Sequence, residues 1–183
     1  MKTQNLIRFI QTLNVQNVAA IPVEKIVFDR AFRSLCEANS CGVYGKNWMC
    51  PPCVGEIDPL IARAKDYLVA VVYQTIGALE DSYDFEGMMA AGENMAKINI
   101  AVKKFVANED EGALVLGGGA CRVCERCAKL DEKPCRNPTL AMPSLESHGV
   151  NVSALAQACG MRYINGENTV TYFGAVLFCE DAE

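Results

Sequence analysis

Eight of the ten cysteines fall into two short groups, and their spacing constrains this chain more than any other feature of its sequence. The sharper group is Cys121, Cys124 and Cys127, each separated from the next by two residues, with Cys135 after seven intervening residues and Pro138 beyond it. Three thiolates at that spacing wrap one loop around a cubane, each meeting a different iron, and a fourth completes the set. The run departs from that of bacterial ferredoxins, where three residues precede the fourth cysteine and that cysteine serves the other cluster, so ferredoxin connectivity does not follow. Tetrahedral zinc competes, although zinc sites usually present two separated Cys-x-x-Cys pairs rather than a contiguous triple.

The second group, Cys36, Cys41, Cys50 and Cys53, places four residues, then eight, then Pro51-Pro52 between successive thiols. Alone it describes a zinc knuckle as well as a cluster loop, and its companion tips it toward a cluster. A thioredoxin-like dithiol at Cys50 and Cys53 would want a helix start, whereas Pro51-Pro52 sits in a loop. The expectation is two [4Fe-4S] clusters, one per quartet, with Zn as the alternative.

Cysteines this dense suit either a secreted disulfide scaffold or a metal protein. With 183 residues, 51% of them hydrophobic, the chain can bury a core without cross-links. Its first residues, Met1 to Leu13, read as an amphipathic helix rather than a secretion signal, which points to a reducing cytoplasm. The longest apolar runs, 67–73 and 173–179, are far shorter than the roughly 20 residues of a membrane-spanning helix. A formal net charge of -5 argues against nucleic acid and leaves a redox protein as the expected partner. Nothing in the sequence sets the oligomeric state.

Hydrophobic periodicity predicts one compact domain over 1–183, α/β or α+β, with about five strands and flanking helices. Leu6, Ile7, Phe9, Ile10 and Leu13 mark a helix over 3–15, followed by a strand over 18–28. Asp29 can cap a short helix over 30–37, and the Gly-, Pro- and Asn-rich loop 36–55 has no apolar period. After a short helix beyond Pro59, the continuous apolar run 67–74 reads as a buried central strand. Asp81, Ser82 or Asp84 can cap a long helix whose apolar stripe is Phe85, Met88, Met89, Met95, Ile98, Val102, Phe105 and Val106. A strand over 111–116 enters Gly117-Gly118-Gly119 and the second cysteine loop, 117–138. Two short helices, 143–148 and 153–159, end at Gly149 and Gly160, plausible left-handed caps. Asn165-Gly166 predicts a hairpin joining strands 161–164 and 169–179.

Other residues fit the needs of a cluster. Gly42, Gly45 and the triple glycine let backbone amides approach sulfur, and Tyr44 and Trp48 can shield a core from water. Lys46, Arg122, Arg126, Lys129 and Arg136 can offset thiolate charge or simply be solvated loop residues. Cys159 and Cys179 stand apart and read as core cysteines, and His148, the only histidine, reads as a capping residue. Neither a phosphate-binding Gly-x-x-x-x-Gly-Lys-Ser/Thr run nor a dinucleotide fingerprint occurs.

These residues resemble a known family, the predicted metal-binding proteins of anaerobic bacteria and archaea grouped as domain of unknown function 2284. The likeness rests on Cys36 and Cys41, on Tyr44-Gly45-Lys46-Asn47-Trp48 leading into Cys50-Pro51-Pro52-Cys53, and on Gly117-Gly118-Gly119 before the Cys121 triad. Pro134-Cys135-Arg136 and Pro143-Ser144-Leu145-Glu146 extend it, so that it spans about 27–178; Ala120 stands where the family would have a proline. The resemblance implies metal or iron-sulfur binding in an anaerobic setting, without a reaction. Full cysteine ligation favours electron transfer. A cluster-containing enzyme or activator, with an open iron or a bound flavin or corrinoid and a pocket beside Tyr44, Trp48 or His148, stays open. So does a zinc module without redox chemistry.

Overall fold

The computed structural model describes residues 1–180. Four antiparallel strands form one sheet, ordered β1 (Asn17–Pro22), β2 (Val69–Ala78), β4 (Thr169–Phe178), β3 (Leu114–Leu116). The mixed helix-and-strand class is as expected, with four strands instead of five. The apolar run at β2 is buried because helices cover both faces of the sheet. Ala70 and Val72 point into one core, with Ala64 of α3 (Ile57–Lys65) and with Val152, Leu155 and Ala156 of α5 (Val152–Ala158). Val71 and Tyr73 point into the other, with Leu6 and Ile10 of α1 (Thr3–Gln11) and with Met95, Ile98, Val102 and Val106 of α4 (Phe85–Glu109). This period-two division puts apolar side chains on both faces, each fully buried Val or Leu stabilising by about 1.5–3 kcal/mol.

The missing strand is 161–164. β2 pairs β4 along its whole length on one edge, while β3 pairs it on the other only at Ala175–Leu177, so 161–164 does not take up the edge beside the start of β4. The segment becomes a loop instead, with Gln74 Nε2 donating to the Arg162 carbonyl at 2.6 Å and Asn165 Nδ2 to the Thr171 hydroxyl at 3.0 Å. β1 is also shorter than expected. It stops at Pro22, whose nitrogen cannot extend the ladder, and passes into a 3-10 turn, Val23–Lys25. Phe28 regains a single bridge with Val150.

Of the three candidate caps of α4, Asp84 serves, accepting from Gly87 N at 2.8 Å. The expected stripe holds from Met95 onward, but Phe85 is 74% and Met89 59% exposed. Segment 143–148 is not a full helix. Ser144 makes a parallel bridge with Gly117, a short 3-10 turn follows at Glu146–His148, and Gly149 ends it with φ +72°. Gly160 likewise follows α5 with φ +68°.

Those bridges position both cysteine loops. β3 runs into Gly117, whose N-H donates to the Pro143 carbonyl at 2.9 Å while its own carbonyl accepts from Leu145 at 3.0 Å. A Cβ on Gly118 would lie 3.1 Å from the Phe173 carbonyl, so the glycine run presses against the adjacent strand as it leaves the sheet. The second cysteine loop starts there. The first starts from α2 (Phe32–Glu37), which carries Cys36 and packs on the turn Glu146–His148.

Candidate metal centre

Cys121, Cys124, Cys127 and Cys135 line one recess with about 340 Å³ of empty space, its open mouth included. The chain reaches this arrangement through a 3-10 turn at Ala128–Asp131, closed by Glu132 in the left-handed region at φ +53°, which returns Cys135 toward the triad. Asn137 Nδ2 lies 3.2 Å from Cys124 Sγ and donates to it, the kind of contact that orients a ligand sulfur and tunes a bound metal. Trp48 enters from the first loop to form another wall. Its indole N-H donates to the Lys133 carbonyl at 2.9 Å, and Lys129 Nζ stands 4.9 Å over its ring.

Cys36, Cys41 and Cys50 line a different and larger cavity, of about 930 Å³ with its mouth, beside Tyr44, Ser144 and Glu146. Cys53 does not line that cavity. The peptide Pro51-Pro52 is cis, and Gly45 N donates to the Pro51 carbonyl at 2.9 Å, folding the loop back on itself. Among the described residues, no three His, Cys, Asp or Glu side chains converge on one point as ligands of a single ion do. The thiols instead stand around volumes.

The two loops touch. Asn47, 5% exposed, donates from Nδ2 to the Cys121 carbonyl at 3.1 Å and accepts through Oδ1 from Met49 N at 2.9 Å. Cys50 feels both quartets. Burial, then the nearby Cys41, Cys36, Cys121 and Cys127, pushes its thiol up to about 12. Without a cation the Cys50 thiol stays protonated, and a bound metal must displace that proton. Burial also raises Cys36, with Arg33 opposing the shift.

The basic residues singled out in the sequence mostly face protein partners. Arg126 pairs with Asp131, Arg136 donates to the Arg126 carbonyl, and Lys129 reaches Glu132 at 3.4 Å. Arg122 packs on α4, its Nη1 3.0 Å from where a Cβ on Gly92 would stand. The cation acting on the first group is Arg33, which also donates from Nη2 to the Gly55 carbonyl at 2.8 Å, tying α2 to the end of the Cys50–Cys53 segment. Its place three residues before Cys36 on a helix is a legible signal. Asn47 and Glu146 lie in the runs that carry the family resemblance, and Asn137 had no comparable mark.

Tyr44 lines the first cavity and Trp48 the second recess, while His148 lines neither. His148 is 1% exposed, with Nδ1 3.2 Å from the Ser147 hydroxyl, and burial lowers its pKa to about 4. Cys159 is half-buried against the core at the end of α5, and its thiol is pushed up to about 11 by burial. Cys179, expected in the core, is exposed because the last strand ends one residue earlier, at Phe178.

A helix-flanked antiparallel sheet that presents two tethered, cysteine-rich loops at one place defines a cysteine-rich metal-binding protein. The chain belongs to the family described as predicted metal-binding protein, domain of unknown function 2284, whose pattern matches residues 19–178. Comparison with curated proteins and with solved structures brings out no match. Among the described residues, no helix is long and apolar enough to cross a membrane.

Proposed function

We propose that each cysteine quartet holds a [4Fe-4S] cluster and that the protein passes single electrons to a redox partner in an anaerobic cytoplasm. The observation that carries this reading is the recess with all four thiols of Cys121, Cys124, Cys127 and Cys135 on its wall. The donor set suits iron-sulfur chemistry, and thiols spaced around a volume suit a multi-atom core better than one ion. Bound clusters would supply one-electron chemistry. Asn137 would hold Cys124 in place, Trp48 would keep water from one side, and Asn47 would keep the two loops together.

Anaerobic purification with iron, sulfide and zinc analysis tests the proposal. We expect a brown protein with about eight irons and eight sulfides per chain. A colourless protein with stoichiometric zinc and no sulfide would sink it. A second reading, a cluster-containing enzyme or activator, draws support from the large cavity beside Cys36, Cys41 and Cys50, which a simple electron relay does not need.

A further inference from the structure

The two cysteine-lined spaces differ in what they can admit. Within its walls the cavity beside Cys36 has room for about 340 Å³, against about 20 Å³ in the recess of the Cys121 quartet. Its apolar walls are Phe32, Leu35, Val43, Pro51 and Ala120, with the Tyr44 ring. Apart from the cysteine thiols and the Tyr44 phenol, the polar side chains on it are Ser40, Ser144 and Glu146. Among the described residues, no lysine, arginine or histidine lines it.

That lining selects by chemistry. An apolar cavity with a few polar groups at one side is the ordinary form of a small-molecule site. An anionic ligand, including any phosphate-bearing cofactor, would lose its hydration there and meet a carboxyl group and sulfurs instead of a cation. A molecule with an apolar body and a hydrogen-bond-donating or cationic head would bury the body against Phe32, Leu35 and Val43. Its head could meet Glu146.

We propose that the cavity beside Cys36, Cys41 and Cys50 binds a small, mainly apolar, non-anionic molecule whose hydrogen-bond-donating end faces Glu146. This deepens the second reading above and rests on it only for the neighbouring cluster; the cavity walls are the chain's own. It also argues against a flavin nucleotide as the occupant, because no cation lines the cavity for the phosphate and Arg33, which acts on Cys36, donates to the Gly55 carbonyl.

Equilibrium dialysis of the anaerobically purified full chain against benzylamine, benzyl alcohol and benzoate at pH 8 tests the proposal, with iron measured on the same samples. Benzylamine and benzyl alcohol should be retained at millimolar concentration, and benzoate should bind about tenfold more weakly. Leu35→Trp fills the mouth from an exposed helical position, and Val43→Trp fills the cavity from the loop. Each should cut retention about tenfold at unchanged iron content and circular dichroism. Glu146→Gln should weaken benzylamine more than benzyl alcohol. Equal binding of benzoate, no retention of benzylamine, full retention by both folded tryptophan variants, or equal loss of both ligands in Glu146→Gln would overturn the proposal. Selective retention without iron would sink the cluster assignment alone, and iron-loaded protein that retains nothing would sink the cavity proposal alone.

Discussion

The two cysteine loops carry the same number of thiols and are built differently. The second is tied to itself: Arg126 pairs with Asp131, Arg136 reaches the Arg126 carbonyl, and Asn137 bonds Cys124. All four of its cysteines share one recess. The first also folds on itself, through Gly45 to Pro51 and Tyr44 to Asn39, but it adds ties to other elements, Arg33 to Gly55, Asn47 to Cys121 and Trp48 to Lys133, and three of its cysteines border a roomier cavity. A loop that satisfies its own polar groups can close tightly around a core. One that spends those groups on neighbours can leave a wall open. The same ligand count can therefore serve an enclosed centre and an accessible one.

The sharpest way to break this comparison is to remove one ligand from each loop. Cys124→Ser should abolish the iron of the second quartet, about half the total, and spare the first. Cys50→Ser should do the converse. Loss of nearly all iron from Cys50→Ser alone would show that the loops form one unit, as the electrostatic contact of Cys50 with Cys121 and Cys127 allows.

Next in size is the acid response of the first loop's support. His148 lies in the turn beneath α2, and its pKa is lowered to about 4 by burial. Its ordinary value is 6.5, so between these limits the unfolded chain binds the proton more readily than the folded one. The contribution is intact above about pH 6.5 and falls as pH drops toward 4, by at most about 3 kcal/mol. Urea unfolding at pH 7 and pH 4.5 measures it, and His148→Leu should flatten that part of the profile.

Asn47→Ala removes the bond between the loops and leaves the Cys121 carbonyl and the Met49 amide without their partner. It should cost about 1 to 3 kcal/mol of stability, read by thermal unfolding. Asn137→Ala should weaken metal retention by the second loop about tenfold in a chelator competition, leaving the first unchanged. The smallest effect belongs to Trp48→Phe, which loses an indole bond and part of a cation-π contact at a partly exposed site. A destabilisation of about 1 kcal/mol is expected, with the recess more open to water.

Much of the fold was legible because it depends on local pattern. The run at β2, the stripe of α4 beyond Met95 and the glycine stops at Gly149 and Gly160 each follow from side-chain period or backbone freedom within a few residues. The failures are non-local. Asn165-Gly166 looks like a hairpin turn in isolation, but Gln74 from β2 holds the Arg162 carbonyl and Asn165 bonds Thr171, and the segment stays a loop. Phe85 and Met89 share the helical period but stay exposed.

The amino-acid sequence by itself determined the chemistry: eight thiols in two quartets, a metal-binding family, and an interior large enough to fold around them. Ligand identity is a property of side chains and survives any arrangement of the backbone. Which thiols share a space, how Asn47 joins the loops, and that one cysteine group borders a roomy apolar cavity were decided by the tertiary structure. Those features join residues as far apart as Phe32 and Glu146, and no local signal carries the shape of the space between them.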